Sequence, residues 1–253
     1  MDQTPSVSPF PFPPQPYDGR CRAVEAGACF DWLRQGWAMF TVFPAIWLTL
    51  SVIFAVIVLS LMIVPLVGQI ALYMLLPILI AGMLQVCQRI TDDETPEVQD
   101  LFVAFRREST QLIITGLLNL GGTFAVGIML TVVASGSAVG GILLGAPGPL
   151  GLGAVIGGMM ISGLFAVVLL TLLMMSMWFA PALVYFHHMQ AWPAIKASFQ
   201  ACAANWLPFL LFGLISLVMT FFALLPLGMG LLILLPVMVG SLYAAYRDIF
   251  VAV

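Results

Sequence analysis

A chain of 253 residues that is 62% hydrophobic and only 8% charged carries more apolar surface than a soluble domain of its size can bury, since soluble domains hold about 25% Asp, Glu, Lys and Arg. Its medium is lipid. A net charge of −3 and the lack of any basic run of five or more residues exclude a nucleic-acid partner.

Residues 1–22 hold Pro5, Pro9, Pro11, Pro13, Pro14 and Pro16. A stretch so rich in proline cannot form the apolar helix of a signal peptide, so it reads as a disordered cytoplasmic tail, with 23–253 as an integral membrane domain. A hydrocarbon core of about 30 Å takes roughly 20 apolar residues in a helix. Six segments reach that length: 44–64, 67–88, 112–134, 157–186, 206–225 and 228–247. The expected fold is all-α, a polytopic membrane protein with six transmembrane helices arranged as three hairpins.

The first and last hairpins close through short turns at Pro65–Gly68 and Pro226–Gly230, as antiparallel neighbours do. The middle joint, 135–158, is long, uncharged and dense in glycine. It is expected to be a flexible hairpin tip with GxxxG helix contacts at Gly141/Gly145 and Gly153/Gly157; a re-entrant loop is the alternative.

Ahead of each hairpin lies a short amphipathic segment. Phe30, Leu33, Trp37 and Phe40 make the first apolar stripe, with Trp32 off it by about 200°; Val98, Leu101, Phe102 and Phe105 make the second; Ile195, Phe199, Cys202 and Trp206 make the third. Each contains a small residue followed by an aromatic one, Gly36-Trp37, Ala104-Phe105 and Ser198-Phe199, about seven residues before the span. One unit, amphipathic helix then span then span, is used three times. The helices are expected in the headgroup plane, anchored by Phe30, Trp37, Phe102, Phe105, Phe199 and Trp206.

All eight Lys and Arg (Arg20, Arg22, Arg34, Arg89, Arg106, Arg107, Lys196 and Arg247) fall on one side of these spans. The positive-inside rule then puts both termini in the cytoplasm. That compartment is reducing, so Cys21, Cys29, Cys87 and Cys202 are expected as free thiols.

For chemistry the sequence offers little: no HExxH, no GxSxG, no P-loop and no carboxylate pair inside a span, so neither an enzyme nor a cofactor is expected. His187 and His188 point about 100° apart on a helix and read as markers of the membrane boundary rather than as a metal or proton site. The methionines around span four read as packing rather than as copper ligands. The acidic loop 91–100 lacks the glycine and spacing of an EF-hand and reads as a helix lead-in. The distinctive polar feature within a span is the line Thr115, Asn119, Thr123 at four-residue spacing, either interhelical hydrogen bonding or the wall of a polar path.

The stretches MWFAPALVYFHHMQAWPAIKASFQACAANWLPFLLFGL (177–214) and FDWLRQGWAMFTVFPAIW (30–47) resemble an uncharacterised family of six-span proteobacterial inner-membrane proteins. That family is distantly similar to the membrane domain attached to some glycerophosphodiester phosphodiesterases. The resemblance covers roughly residues 28–250 and implies a bacterial inner-membrane location and this topology, with no catalytic residue to carry over. The expected function is non-enzymatic: a lipid-associated or envelope-homeostasis scaffold whose partners are membrane lipids, with a small permease or flippase as the alternative.

Overall fold

The computed structural model describes residues 21–143 and 148–251, and those residues contain helices and no strand. In chain order they form α1 (Ala28–Val42), α2 (Pro44–Met62), α3 (Val67–Thr91), a 3₁₀ helix (Val98–Phe105), α4 (Ser109–Leu143), α5 (Pro149–Met177), α6 (Ala180–His187), α7 (Ala191–Ala204), α8 (Trp206–Leu224) and α9 (Leu231–Tyr246), followed by a π-helical turn (Arg247–Val251). Six helical stretches are long and apolar enough to cross a membrane: Pro44–Met62, Val67–Thr91, Ser109–Leu143, Gly151–His187, Trp206–Leu224 and Leu231–Val251. The chain is an all-α polytopic membrane protein. The tail expected over 1–22 lies outside the described residues up to 20; the remaining two are held, Arg22 donating its N–H to Ile249 O at 3.0 Å.

Helix boundaries follow local chemistry. Pro44 opens α2, where a missing N–H leaves no bond unmade. Leu66 (φ 62°) and the Leu227-Gly228 pair (φ 54° and 80°) reverse the chain at two hairpin tips in left-handed conformations, the last suited to glycine.

The amphipathic helices do not pack chiefly on their own hairpins. Instead α1 lies on α9 and α8, the 3₁₀ helix on α3 and α2, and α7 on α5, α6 and α4. Each unit therefore docks on the one before it, and the first docks on the third, closing a ring. Small residues set the closest approaches. A methyl at Gly36 would overlap the Val237 carbonyl and Ser241 on α9, and one at Gly82 on α3 would overlap the Leu101 backbone. The second span of every hairpin carries a proline, Pro77, Pro181 or Pro236, near the level where the docking helix arrives.

Span four is two helices. Between α5 and α6 the Phe179 N–H donates to Ser198 Oγ at 3.0 Å, and that hydroxyl donates to Met175 O at 2.8 Å. A side chain from α7 is thus inserted into the i→i−4 ladder of span four, which is a sufficient cause of a helix kink.

The middle joint is a correction to the sequence reading. Helices α4 and α5 continue through most of 135–158 and pack against one another there: Gly141 sits against Gly151 and Val155, and Gly158 against Ser137. No re-entrant loop occurs among the described residues. Gly153 and Gly157 face open space, so that expected GxxxG pair makes no contact, whereas Gly141 of the other pair does and Gly145 lies outside the described residues. Helix formation wins because the apolar medium leaves backbone groups no partner but each other. The 35 residues of α4 span about 52 Å at 1.5 Å per residue, beyond a hydrocarbon core of about 30 Å. Tilt or projection must absorb the excess.

Burial divides the spans. Half of the second and two-thirds of the sixth are buried, against 6% of the third and fourth, so α3 and α9 line the axis while the α4–α5 hairpin faces outward.

Candidate functional site: an intramembrane cavity with a lateral groove

Where the three units meet at membrane depth they leave a half-open cavity of about 520 Å³, within the 300–1,000 Å³ range of ligand pockets. All three contribute: Phe54 and Pro77 from the first, Thr115, Asn119 and Pro181 from the second, Ser216, Thr220 and Met238 from the third. Pro77 and Pro181 stand in its wall; Pro77, inside α3, has no N–H to give the helical ladder.

The polar groups in this wall have a definite hydrogen-bond polarity. Thr115 donates to Gln111 O at 2.9 Å, Ser216 to Phe212 O at 2.7 Å and Thr220 to Ser216 O at 2.7 Å. Each proton goes to the carbonyl one turn back, with Ser216 Oγ also 3.4 Å from Met238 Sδ; Ser216 and Thr220, both part-exposed, thus present lone pairs to the cavity, whereas the Thr115 hydroxyl is covered within the wall. Asn119 is half-buried and makes no side-chain hydrogen bond among the described residues, so its carboxamide keeps both donors for whatever occupies the space. No Lys, Arg, His, Asp or Glu lines the cavity.

The expected Thr115-Asn119-Thr123 line is therefore divided. Thr115, fully buried, and Asn119 face the cavity, whereas Thr123 lies outside its wall and donates to Asn119 O at 2.9 Å.

Beside the cavity, a groove of similar volume, about 520 Å³, runs between α5, α7 and α8, lined by Thr171, Cys202, Trp206, Phe209 and Leu214 among others. Met174 and Trp178 line both spaces. Met174 is 62% exposed, and at these two side chains the groove and the cavity adjoin.

The six aromatic anchors, Phe30, Trp37, Phe102, Phe105, Phe199 and Trp206, are 37–62% exposed on the outside of the ring. The stripes they belong to are narrower than periodicity indicated. Phe40, Leu101, Ile195 and Cys202 turn inward and are buried. Trp32, off the stripe, is the inner face itself, 1% exposed, its Nε1 donating to Asp248 Oδ2 at 3.1 Å. Asp248 also pairs with Arg22 at 3.8 Å.

Three buried polar joints escaped sequence reasoning. Asn205, 2% exposed, accepts from Val24 N–H at 2.7 Å and donates to the Arg22 and Ala201 carbonyls, each at 3.0 Å. Gln111 Oε1 accepts the Ala191 N–H at 3.1 Å, and Ser198 spans the kink. Asn205 and Gln111 both stand seven residues after the small residue of their unit, and each holds the chain entering the next docking helix. That shared offset was the available signal.

The histidines part company as their adjacency required. His187 Nε2 lies 2.7 Å from Tyr246 Oη, and His188 Nδ1 lies 2.9 Å from Glu108 Oε1. In the acidic loop, Asp100 accepts the Glu97 N–H at 2.7 Å and pairs with Arg89 at 3.3 Å. Burial raises the Asp92 carboxyl, partly countered by Arg247. All four cysteines are free, and burial pushes the Cys202 thiol up to about 12 and raises that of Cys29. No group of three or more His, Cys, Asp or Glu side chains among the described residues is placed to hold a metal ion.

No protein-family model matches the chain, and neither a curated protein nor a solved structure matches it at a significant level.

Proposed function

We propose that this integral membrane protein is a non-enzymatic lipid-handling component of the bacterial inner membrane, with both termini in the cytoplasm, serving envelope homeostasis by holding an amphiphile between its hairpins. The observation that carries this reading is the shared wall: Met174 and Trp178 line both an apolar groove and the adjoining cavity, which bears Asn119, Ser216 and Thr220. A chain lying in the groove and a polar end seated in the cavity match that arrangement. Location and sidedness rest on the sequence, through the resemblance and the one-sided distribution of Lys and Arg.

The test is crosslinking in bilayers with two probes in turn, a phospholipid and a diacylglycerol, each carrying a photoreactive group on its acyl chain, either of which supports the reading. Adducts should concentrate on Thr171, Met174, Trp178 and Leu214 rather than on Val132 and Leu164, which are 64% and 67% exposed. Adducts spread in proportion to exposure would sink the reading.

A second reading, passive movement of a small uncharged solute, draws on the cavity's contact with all three units. The lack of ionisable groups in its wall disfavours ion coupling, because such pathways are marked by charged residues. Flux into proteoliposomes without an ion gradient would support it.

A further inference from the structure

We infer that the cavity selects an uncharged lipid alcohol, such as a diacylglycerol or a long-chain alcohol, over a phospholipid; the inference rests on the reading of this cavity as a lipid site. It follows from counting donors and acceptors. The part-exposed hydroxyls of Ser216 and Thr220 have given their protons to backbone carbonyls, so what they offer is lone pairs. A ligand satisfying those oxygens must bring an O–H of its own. The Asn119 carboxamide can then donate to the oxygen of that hydroxyl or to an ester carbonyl beside it.

A phosphate group is the wrong complement. It is an acceptor and an anion, it would face the acceptor oxygens of Ser216 and Thr220, and no Lys or Arg among the described residues lines the wall. Burying that charge without a counterion is disfavoured far more than burying a hydroxyl that finds a partner. The way in agrees. The groove's one hydroxyl, on Thr171, is spent on Val167 O at 2.7 Å, so a headgroup entering past Met174 and Trp178 meets little beyond the indole N–H groups of Trp178 and Trp206 to replace its water before it reaches the cavity. A single hydroxyl tolerates that passage better than a phosphodiester.

The experiment sets three lipids with identical chains in competition for the purified full-length protein: dioleoylglycerol, its 3-O-methyl ether and dioleoyl phosphatidic acid, with occupancy read by native mass spectrometry. The alcohol should exceed the ether about fivefold, the equivalent of roughly one neutral hydrogen bond, and exceed phosphatidic acid by more. Thr220→Val, which removes one of those acceptor oxygens, should reduce the preference for the alcohol, while Thr123→Val, outside the wall, should keep it. Equal retention of ether and alcohol by the unaltered protein, or preference for phosphatidic acid, overturns the inference and leaves the lipid site standing. Retention of none of the three overturns both.

Discussion

The hydroxyl of Ser198 completes a hydrogen-bond path that span four cannot complete alone, between the Phe179 N–H and the Met175 carbonyl. Ser198→Ala leaves both buried groups unpaired and should cost about 1–3 kcal/mol, read as a lowered midpoint in chemical unfolding of the detergent-solubilised protein. Were the midpoint unchanged, the hydroxyl would not be the element holding the kink. Cys202 makes a second residue-scale prediction, because burial pushes its thiol up to about 12 from an ordinary value of 9.0. The folded state then holds its proton longer than the unfolded state, so the stability linked to this group is fully present below about pH 9 and is lost as pH rises from there towards 12. Replacing Cys202 by Ala should flatten that loss. At pH 8 the half-exposed Cys21 should alkylate well ahead of the buried Cys29 and Cys202, as peptide mass spectrometry can score.

At the scale of elements, the amphipathic helices show what periodicity reveals and what it misses. The outward direction of Phe30 and Trp37, 61% and 53% exposed, was legible from their spacing. The inward face was not, since Trp32 and Phe40 are as apolar as the anchors, and hydrophobicity alone does not distinguish burial in protein from burial in lipid. Glycine separates the two. Gly36→Val places a branched side chain where a single methyl already overlaps the Val237 carbonyl; overpacking of this kind typically costs about 1–3 kcal/mol. Gly153→Val, facing open space, should be nearly neutral. A thermal-shift comparison in one detergent checks the pair, and equal losses would argue against the α1–α9 crossing.

For the whole molecule, the ring has a consequence that a linear string of hairpins would not. The first unit docks on the third through Arg22 and Ile249, Trp32 and Asp248, and Asn205 with Val24. A chain ending at residue 190 deprives α1 of its seat on α9 and should yield protease-sensitive, aggregating material rather than a stable four-span protein. Joining residue 251 to residue 21 by a short linker and opening the chain between Glu94 and Thr95, both exposed, should give a folded circular permutant. Size-exclusion profiles and limited proteolysis would distinguish the two outcomes.

Composition by itself determined the medium, the all-α class and the six spans, because in hydrocarbon every backbone polar group must bond within its own segment and length sets what can cross. Four-residue spacing also put Thr115, Asn119 and Thr123 on one face of one helix. Only the tertiary structure decided that Thr115 and Asn119 meet Ser216 and Thr220 around one cavity, that Thr123 stands outside it, and that each docking helix belongs to its neighbour's hairpin. Those outcomes depend on which backbones approach closely enough at Gly36, Gly82 and Ser198, and that approach joins residues far apart in the chain, where no periodicity within a single segment reports it.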